Sequence, residues 1–391
     1  MKHSLAISLF IGLFCLSACD KDEVSSVQKT SFVKYYTNFP VLSGADVTPT
    51  SEGYAILGTA RTNNNKTLIC LIRTDEFGNS LDSARTYALH ENNTAYCLKT
   101  LDDGGFGILG SSLNPANGKR LAWFIRTNNV GDTLWTRQIS GAGNLEAKYF
   151  EVNSQESFFM TGYADEAGKG REIWWFAIDN EGRDIRNQRT FGLFGSDDEG
   201  NHLQFLSNGS LVITGYVTRS GIRRPIIIKT DENTVYSNVF ELESALDETG
   251  VCIRVLDAEN FLILGNHTES TGSEISLRQI YMPPGIKPVI QWETFNSVAD
   301  HDESSSLIVD DQELYILGST GNSSNSAITI ITMDLEGNEI NNSQFGEGSR
   351  LSGISFKRTT DNGFIIVGTN AHPEQNNTAL VLIKTDSDAG L

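Results

Sequence analysis

The feature that most constrains the fold of this chain is a short apolar run that ends in glycine and recurs at nearly constant spacing. The runs read YAILG, FGILG, FFMTG, LVITG, FLILG, LYILG and FIIVG, and their last residues are Gly58, Gly110, Gly162, Gly215, Gly265, Gly318 and Gly368. We call these the anchor glycines. Their spacings are 52, 52, 53, 50, 53 and 50 residues. A period near fifty indicates a repeat architecture of seven units, rather than the two or three domains that the length alone suggests.

Each unit reads as four short strands. A first strand such as AYCLKTL passes through a polar turn, as in LDDGG or TTDNG, into the strand with the anchor glycine, which predicts a hairpin. An apolar third strand follows and ends in a turn such as TDEFGN or MDLEGN, where Gly suits positive φ. A fourth strand such as TLWTRQI completes the unit. Outside the N-terminal signal, no stretch of ten or more residues shows convincing helical periodicity.

The two ends of the repeat region complement each other. The seventh unit stops at LVLIKTDSDAGL without a fourth strand, whereas SFVKYYTNFP, residues 31–40, precedes the first unit and resembles a fourth strand in its aromatic content. The N-terminal strand can therefore complete the last unit. Such closure would protect sheet edges that otherwise invite aggregation.

This layout resembles the bacterial surface propellers built from DGGF, three apolar residues and Gly, followed by LIKTDxxGN, and is similar to delta-60-type repeats. The resemblance covers residues 31–391 and implies an all-β, seven-bladed β-propeller of four-stranded antiparallel blades, closed by the N-terminal strand. The fifth unit departs from the pattern, because Pro283, Pro284 and Gly285 replace its Asp-Gly turn. A propeller fold by itself says little about function.

The first thirty residues predict export and a lipid anchor. Lys2 precedes an apolar stretch, Leu5 to Leu16, that is too short to cross a bilayer, as in a signal peptide. The sequence LSAC resembles the lipobox of bacterial lipoproteins, which implies a signal peptide over residues 1–18 and lipidation of Cys19. An ordinary signal peptide with an incidental Cys is the alternative. Residues 19–30 are then the lipidated Cys and a flexible tether, and residues 31–391 a single propeller.

The residues after Cys19 bear on the membrane. The acidic stretch Asp20–Glu23 is similar to the signal that sends lipoproteins to the cell surface in some Gram-negative lineages, whereas in others Asp at this place causes inner-membrane retention. We expect an exported protein anchored in the outer membrane at the cell surface, with inner-membrane retention as the alternative. The net charge of −19 disfavours nucleic acid as a partner. Cys70, Cys97 and Cys252 lie in apolar strand patterns and are expected to be buried thiols.

Acidic and imidazole side chains are concentrated in the loops expected to enter the first strands. These candidates are Asp197, Asp198, Glu199, His202, Asp247, Glu248, Asp300, His301, Asp302 and Glu303, with His267 in the loop between the second and third strands. In propellers these loops lie on one face near the central channel, so the carboxylates should converge. They could hold Ca²⁺, Zn²⁺ or Mn²⁺. The alternative is that the Asp residues cap turns by accepting hydrogen bonds from backbone N–H groups.

Two other segments attract attention. The loop TRSGIRRP carries Arg219, Arg223 and Arg224, which could bind an acidic sugar or a carboxylate by bidentate pairing, or could be solvated surface. Trp174 and Trp175 could stack on a sugar ring, but the same place in other units is aliphatic, which favours core packing.

Catalytic motifs are absent from the sequence: it has no G-x-S-x-G elbow, no P-loop and no G-x-G-x-x-G between a strand and a helix. We expect a non-enzymatic, lipid-anchored module without a cofactor that binds a glycan, peptide or protein through its loop-rich face. The alternative is a glycan hydrolase or lyase that uses acidic residues of the rim as acid and base. A purely structural envelope component is the third hypothesis.

Overall fold

The computed structural model describes residues 31–166, 170–192, 195–231, 233–269, 272–310, 312–322, 324–346, 350–372 and 377–391, and all its elements in these ranges are β-strands. The predicted signal peptide, Cys19 and the tether lie outside the described residues. Ser31–Leu391 forms one compact body. Within the described ranges no helix has the length and apolar content needed to cross a membrane.

The strands follow the predicted four-strand pattern. The first three units, with a preceding strand, comprise β1 (Phe32–Tyr36), β2 (Val41–Pro49), β3 (Gly53–Arg61), β4 (Thr67–Asp75), β5 (Arg85–Tyr87), β6 (Asn93–Thr100), β7 (Phe106–Asn114), β8 (Lys119–Thr127), β9 (Thr133–Ile139), β10 (Leu145–Val152), β11 (Phe158–Glu166), β12 (Gly170–Ile178) and β13 (Ile185–Phe191). The short strand β14 (Ser196–Asp197) leads into units 4 and 5, which comprise β15 (Glu199–Phe205), β16 (Leu211–Arg219), β17 (Ile222–Thr230), β18 (Tyr236–Glu241), β19 (Asp247–Val255), β20 (Asn260–Thr268), β21 (Ser273–Tyr281) and β22 (Val289–Asn296). Units 6 and 7 comprise β23 (His301–Val309), β24 (Glu313–Gly321), β25 (Ser326–Asp334), β26 (Glu339–Phe345), β27 (Leu351–Arg358), β28 (Phe364–His372) and β29 (Asn377–Lys384).

The anchor glycines are required by the close approach of the first strand to the second. A Cβ on Gly162 or Gly215 would lie 1.9 Å from the carbonyl oxygen of Glu146 or Glu199 on the neighbouring strand. The other anchor glycines meet a first-strand carbonyl in the same way. A register shift follows each of these contacts, as between Ala147 and Tyr149, so each first strand carries a bulge at the same place. The repeated motif is therefore part of the scaffold.

The turns at the end of the third strands are held by a carboxylate or amide side chain. In unit 1, Oδ1 of Asp75 accepts hydrogen bonds from the backbone N–H groups of Phe77 and Asn79 at 2.9 and 2.8 Å, and Gly78 takes a φ of 74°. Asp334 makes the equivalent two bonds in unit 6. This explains why Asp or Asn recurs there with Gly three residues later.

Neighbouring units are joined by a hydrogen bond from the residue that follows the anchor glycine. Oγ1 of Thr59 accepts from the N–H of Ala95 in unit 2 at 3.0 Å, and Oγ of Ser319 accepts from Gly353 in unit 7 at 3.0 Å. In unit 7 the corresponding residue is Thr369, and its Oγ1 accepts from the N–H of Gly44 in unit 1 at 3.0 Å. The last and first units are thus joined by the same type of contact as successive units.

Strand β1 pairs with the third strand of the last unit. It pairs antiparallel with β29 over five residue pairs, from Phe32–Lys384 to Tyr36–Leu380. The Tyr36 hydroxyl donates to the carbonyl of Gly78 at 2.7 Å, just as Tyr87 of β5 donates to Gly131 in the next unit at 2.6 Å.

The core consists of apolar clusters that lie between neighbouring units. One cluster joins Leu57 and Ile69 of unit 1 to Leu98 and Ile108 of unit 2, all of them buried. Trp174 and Trp175 are 0% and 1% exposed, which confirms the core interpretation of this pair. The three described cysteines, Cys70, Cys97 and Cys252, are free and buried, as predicted.

Candidate functional site

The first strands of all seven units contribute to one cavity. It has a volume of about 300 Å³, and its lining includes Asp46 of β2, Tyr96 of β6, Tyr149 of β10, His202 of β15, Arg254 of β19, Ser306 of β23 and Lys357 of β27. We call it the central cavity. Two larger clefts, of about 460 and 530 Å³, lie between units 2 and 3 and between units 3 and 4, next to the turn at Asn153. Each of these clefts is lined by residues of two units. Of the three, only the central cavity is lined by residues of all seven units.

Several residues that the sequence places in loops belong to strands. Glu199 and His202 lie in β15, Glu248 in β19 and His267 in β20. Asp302 and Glu303 lie in β23. In the segment TRSGIRRP, Ser220 and Gly221 form a tight turn, because both take positive φ, of 53° and 82°. Arg219 is therefore the last residue of β16, and Arg223 and Arg224 belong to β17.

Two of the predicted carboxylates are buried and accept hydrogen bonds from backbone N–H groups. Asp198, fully buried, accepts hydrogen bonds from the N–H of Thr218 at 2.7 Å and from the hydroxyl of Ser196 at 2.9 Å. Asp302, 1% exposed, accepts from the N–H groups of Val298 and Ala299 at 2.5 and 3.0 Å. Asp302 thus caps a turn, as the alternative predicts, whereas Asp198 bonds a backbone N–H of strand β16.

Glu248 and His267 lie together in unit 5, but a salt bridge occupies the carboxylate. Arg278 forms a bidentate pair with Glu248, and Ser276 donates to the same carboxylate at 2.6 Å. Nδ1 of His267 lies 3.6 Å from Oε2 of Glu248. Glu248 is 1% exposed, so this cluster lies inside the unit.

The remaining predicted residues are distributed differently. Asp197, Asp300, His301 and Glu303 are exposed. Arg219 pairs with Glu241 at 2.5 Å, and Nε of Arg224 is buried without a hydrogen-bond partner in the part of the chain that the structure describes. Among the described residues no group of three or more His, Cys, Asp or Glu side chains is arranged to hold a metal ion.

Tyrosines, arginines and carboxylates form a continuous network across units 2 to 5 that the sequence did not single out. We call it the tyrosine patch; it consists of Tyr96, Arg120, Glu146, Lys148, Tyr163, Arg171, Glu199, Tyr216, Arg223 and Asp247. Three of its members, Glu199, Arg223 and Asp247, are predicted candidates. The patch adjoins the central cavity, because Tyr96 belongs to both.

Glu146 is the centre of the patch in units 2 and 3. Its carboxylate accepts hydrogen bonds from the hydroxyls of Tyr96 and of Tyr163, the latter at 2.8 Å. Nε of Arg120 lies 3.3 Å and Nζ of Lys148 3.5 Å from the same carboxylate. Burial opposes ionisation, but Lys148 and the two hydroxyls outweigh it and lower the pKa of Glu146, so it is a carboxylate at neutral pH.

A second such group is formed around Glu199. The hydroxyl of Tyr216 donates to Glu199 at 3.4 Å, and the Arg171 guanidinium lies 3.5 Å from the same carboxylate. The guanidinium of Arg171 also lies 4.4 Å from the centre of the Tyr163 ring, and that of Arg223 lies 5.6 Å from the Tyr216 ring. Arg223 in turn pairs with Asp247 of the next unit. Each arginine thus contacts a tyrosine of its own unit and an acid of the following one.

Burial is the main cause that raises the pKa of these tyrosines. The pKa of Tyr216 rises to about 12, through burial and the nearby Glu199 carboxylate. Burial and Glu146 raise the pKa of Tyr96 and of Tyr163 as well. All three hydroxyls therefore stay protonated at neutral pH and act as hydrogen-bond donors.

An alignment of the units with one another would have found this patch. Tyr163 and Tyr216 follow their anchor glycines directly, at the position where other units carry Thr59, Ser319 or Thr369. Glu146 and Glu199 both precede their anchor glycine by 16 residues. Arg120, Arg171 and Arg223 recur at spacings of 51 and 52 residues. The patch is therefore indicated by positions at which the units differ, whereas the anchor glycines are positions at which all units agree.

Comparison with solved structures identifies the fold. The β-propeller domain of the Trilobed protease from Pyrococcus furiosus, whose topology is an open velcro, matches with a TM-score of 0.52 at 13% identity, over 91% of this chain and 98% of that one. An ulvan lyase that represents a polysaccharide lyase family matches with a TM-score of 0.59 at 8% identity, over 90% and 96%. A puromycin-hydrolyzing peptidase from Mycobacterium tuberculosis matches with a TM-score of 0.52 at 11% identity, over 90% of this chain and 52% of that one.

At these identities the similarity concerns the fold alone, an all-β fold of the β-propeller type. No protein-family model matches the sequence, and the search of curated proteins gives no significant match.

Proposed function

We propose that the seven units are the blades of a β-propeller that β1 closes by acting as the fourth strand of the last blade. The support is the pairing of β1 with β29, the Thr369–Gly44 bond that repeats Thr59–Ala95, and the cavity to which every first strand contributes. In this arrangement the tyrosine patch lies on the face of the ring that carries the entry into the first strands.

We propose that the protein is a binding module for acidic glycans and that the tyrosine patch is its binding surface. The observation that carries this proposal is the replacement of a scaffold residue. Thr59, Ser319 and Thr369 use the position after the anchor glycine to join neighbouring units, whereas Tyr163 and Tyr216 use it to place a hydroxyl on Glu146 and Glu199. Two adjacent units have given up that scaffold bond for an aromatic residue.

The chemistry of the patch suits a sugar that carries carboxylate or sulfate groups. The patch contains four cations, Arg120, Lys148, Arg171 and Arg223, against the three carboxylates Glu146, Glu199 and Asp247, although the whole chain has a net charge of −19. The side chains of Arg171 and Arg223 are each 42% exposed, so an oxyanion can reach their guanidinium groups. Arginine pairs with such groups in a bidentate manner, and the tyrosines hold the carboxylates and guanidinium groups of the patch in place.

Binding fits the acid–base properties of the patch better than catalysis does. General acid–base catalysis needs groups with a pKa near the working pH. The tyrosines have a raised pKa and Glu146 a lowered one, so none of these groups is poised to exchange a proton at neutral pH.

A glycan array tests the binding function, with the single variant Arg171→Gln as the probe. We expect wild-type protein to bind uronate- or sulfate-bearing glycans in preference to neutral ones, and Arg171→Gln to bind them at least about tenfold more weakly. The matched control is Arg186→Gln in the same unit, since Arg186 is 58% exposed and lies outside the patch. Equal binding of neutral glycans, or no effect of Arg171→Gln, would contradict the proposal.

Cleavage of the same glycans is the second candidate, and the two tyrosine hydroxyls at Glu146 are the observation in its favour. A β-eliminating lyase would release unsaturated uronate ends, and a hydrolase would release reducing ends without them. We expect neither product; turnover that Tyr163→Phe abolishes would establish an enzyme and replace the binding proposal.

We also propose that the protein is exported, lipid-anchored through Cys19 and exposed at the surface of the outer membrane. An acidic-glycan module at that location would contact extracellular polysaccharide. Anchored protein that is inaccessible to protease in intact cells would contradict the surface location and favour inner-membrane retention.

A further inference from the structure

The central cavity contains charged groups that the tyrosine patch does not use. His202 is 6% exposed, and its ring stacks on Tyr149 with a centroid separation of 3.9 Å. Nη1 of Arg254 lies 3.0 Å from Nε2 of His202. A buried imidazole and a guanidinium in direct contact on a cavity wall need a physical reason.

The contact with Arg254 fixes the tautomer of His202. A guanidinium can only donate, so Nε2 must accept and the ring proton lies on Nδ1. Burial, together with the charges of Arg254, Lys99 and Lys357, lowers the pKa of His202 well below its usual value, so the ring is neutral. Nδ1 is buried and has no hydrogen-bond partner among the described residues. A buried N–H without an acceptor is costly, by about 1–3 kcal/mol.

Positive charge exceeds negative charge on the cavity wall. Arg254 donates to the carbonyl of Ile253 at 3.0 Å, and no carboxylate of the described residues lies within 4 Å of it as an ion-pair partner. Lys357 shares the carboxylate of Asp46, at 3.4 Å. That carboxylate is already occupied by the N–H of Leu98 at 2.8 Å and the hydroxyl of Ser355 at 2.6 Å.

The other charged groups near His202 are already paired. Lys99 contacts the Tyr149 hydroxyl at 3.1 Å and forms an ion pair with Glu151 at 2.8 Å. Because Lys99 is paired with Glu151 and Lys357 with Asp46, Arg254 is the cation of the cavity that has no charged partner among the described residues.

We propose that the central cavity is a binding site for a small organic carboxylate. The carboxylate pairs with Arg254 and Lys357, next to the imidazole ring that Arg254 contacts. The volume of about 300 Å³ is at the low end of ligand pockets and suits an acid no larger than a monosaccharide. This site is independent of the tyrosine patch, because neither Arg254 nor Lys357 belongs to it.

Isothermal titration of the protein comprising residues 31–391, which form one compact body, with acetate and with glucuronate tests the site. Glucose is the neutral control. Low ionic strength is required because chloride competes for the same cations. We expect at least one of the two acids to bind, glucose not to bind, and Arg254→Gln to weaken the binding at least about tenfold. Arg350→Gln, which alters an exposed arginine in unit 7, should leave it unchanged. Absence of binding for both acids up to about 10 mM would overturn the proposal.

Two further measurements separate this site from the patch and from effects on folding. Arg171→Gln should keep the binding component that Arg254→Gln weakens, and loss of that component in Arg171→Gln would assign it to the patch and overturn the cavity site. In wild-type protein, the ¹⁵N resonance of His202 Nε2 should shift on saturation with the acid that binds, because Arg254 donates to this nitrogen. An unchanged resonance at saturation would contradict binding at Arg254.

Discussion

Replacing Tyr36 by Phe removes one hydroxyl from the contact between β1 and unit 1. Tyr36 is 7% exposed, and its hydroxyl donates to the carbonyl of Gly78 at 2.7 Å. The substitution leaves that carbonyl without its donor and changes nothing else in shape. We expect a loss of about 1–2 kcal/mol in the free energy of unfolding.

The magnitude can be converted into a melting temperature. At about 2.1 cal/mol/K for each residue, a chain of 391 residues unfolds with an entropy of roughly 0.8 kcal/mol/K. The expected loss corresponds to a decrease of roughly 1–3 °C, which scanning calorimetry resolves. Denaturant unfolding followed by tryptophan fluorescence gives the free energy directly.

Two matched substitutions make this result interpretable. Tyr87→Phe breaks the equivalent bond to Gly131, 2.6 Å long, between units 1 and 2, and it should cost the same within about 0.5 kcal/mol. Tyr35→Phe changes a neighbour on β1 that is 51% exposed, and it should have almost no effect. Loss of stability in Tyr87→Phe without loss in Tyr36→Phe would refute the assignment of β1 as a fourth strand.

Four other substitutions test three separate parts of the account. Thr369→Val and Thr59→Val each remove one hydrogen-bond acceptor between units, and each should lower the free energy of unfolding by about 1 kcal/mol in denaturant unfolding. If Thr59→Val lowers it and Thr369→Val does not, closure of the ring is contradicted. Burial opposes ionisation of Asp361, but hydrogen bonds from Lys384, Thr359 and Gly363 outweigh it and hold the pKa of this carboxyl well below the usual range. The stabilisation that the ionised carboxylate provides is therefore complete above about pH 4 and declines as the pH falls through the lowered pKa. Because this carboxylate is 42% exposed, Asp361→Asn should cost only about 1 kcal/mol at pH 7, and this difference should shrink towards pH 2; a constant difference would contradict the ionic origin. Cys19→Ser should release the protein from the membrane fraction, and an anchored variant would refute the lipobox interpretation.

The fold was accessible from the sequence because its determinants are local and repeated. The anchor glycines mark positions where a Cβ would meet a first-strand carbonyl, so substitution is sterically penalised in every unit. The Asp or Asn of the third-strand turn bonds two backbone N–H groups and recurs for the same reason. Constraints of this kind leave a periodic trace in the sequence.

The site was harder to predict from the sequence than the fold, because a charged residue in a loop can bind a ligand or can be paired inside the protein, and the sequence does not distinguish the two. Asp198 and Asp302 look like ligands in the sequence, yet both are buried and accept hydrogen bonds from backbone N–H groups. Glu248 is similarly occupied by Arg278. Tyr163 is unremarkable in its own unit. The patch depends on contacts between units, such as those of Tyr96 with Glu146 and of Arg171 with Glu199, which the sequence alone does not specify.

The double variant Tyr163→Thr/Tyr216→Thr tests the central claim most directly, because it restores in units 3 and 4 the residue type that joins units elsewhere. Titration with an acidic oligosaccharide, taken from those that the wild-type protein binds on the array, gives the affinity, and calorimetry on the same sample gives the stability. If the patch is a binding surface, the affinity of the folded variant falls at least about tenfold, whatever melting temperature is lost by removing the buried Tyr163 ring. Retained affinity with a lowered melting temperature would contradict the claim and make the two tyrosines part of the scaffold.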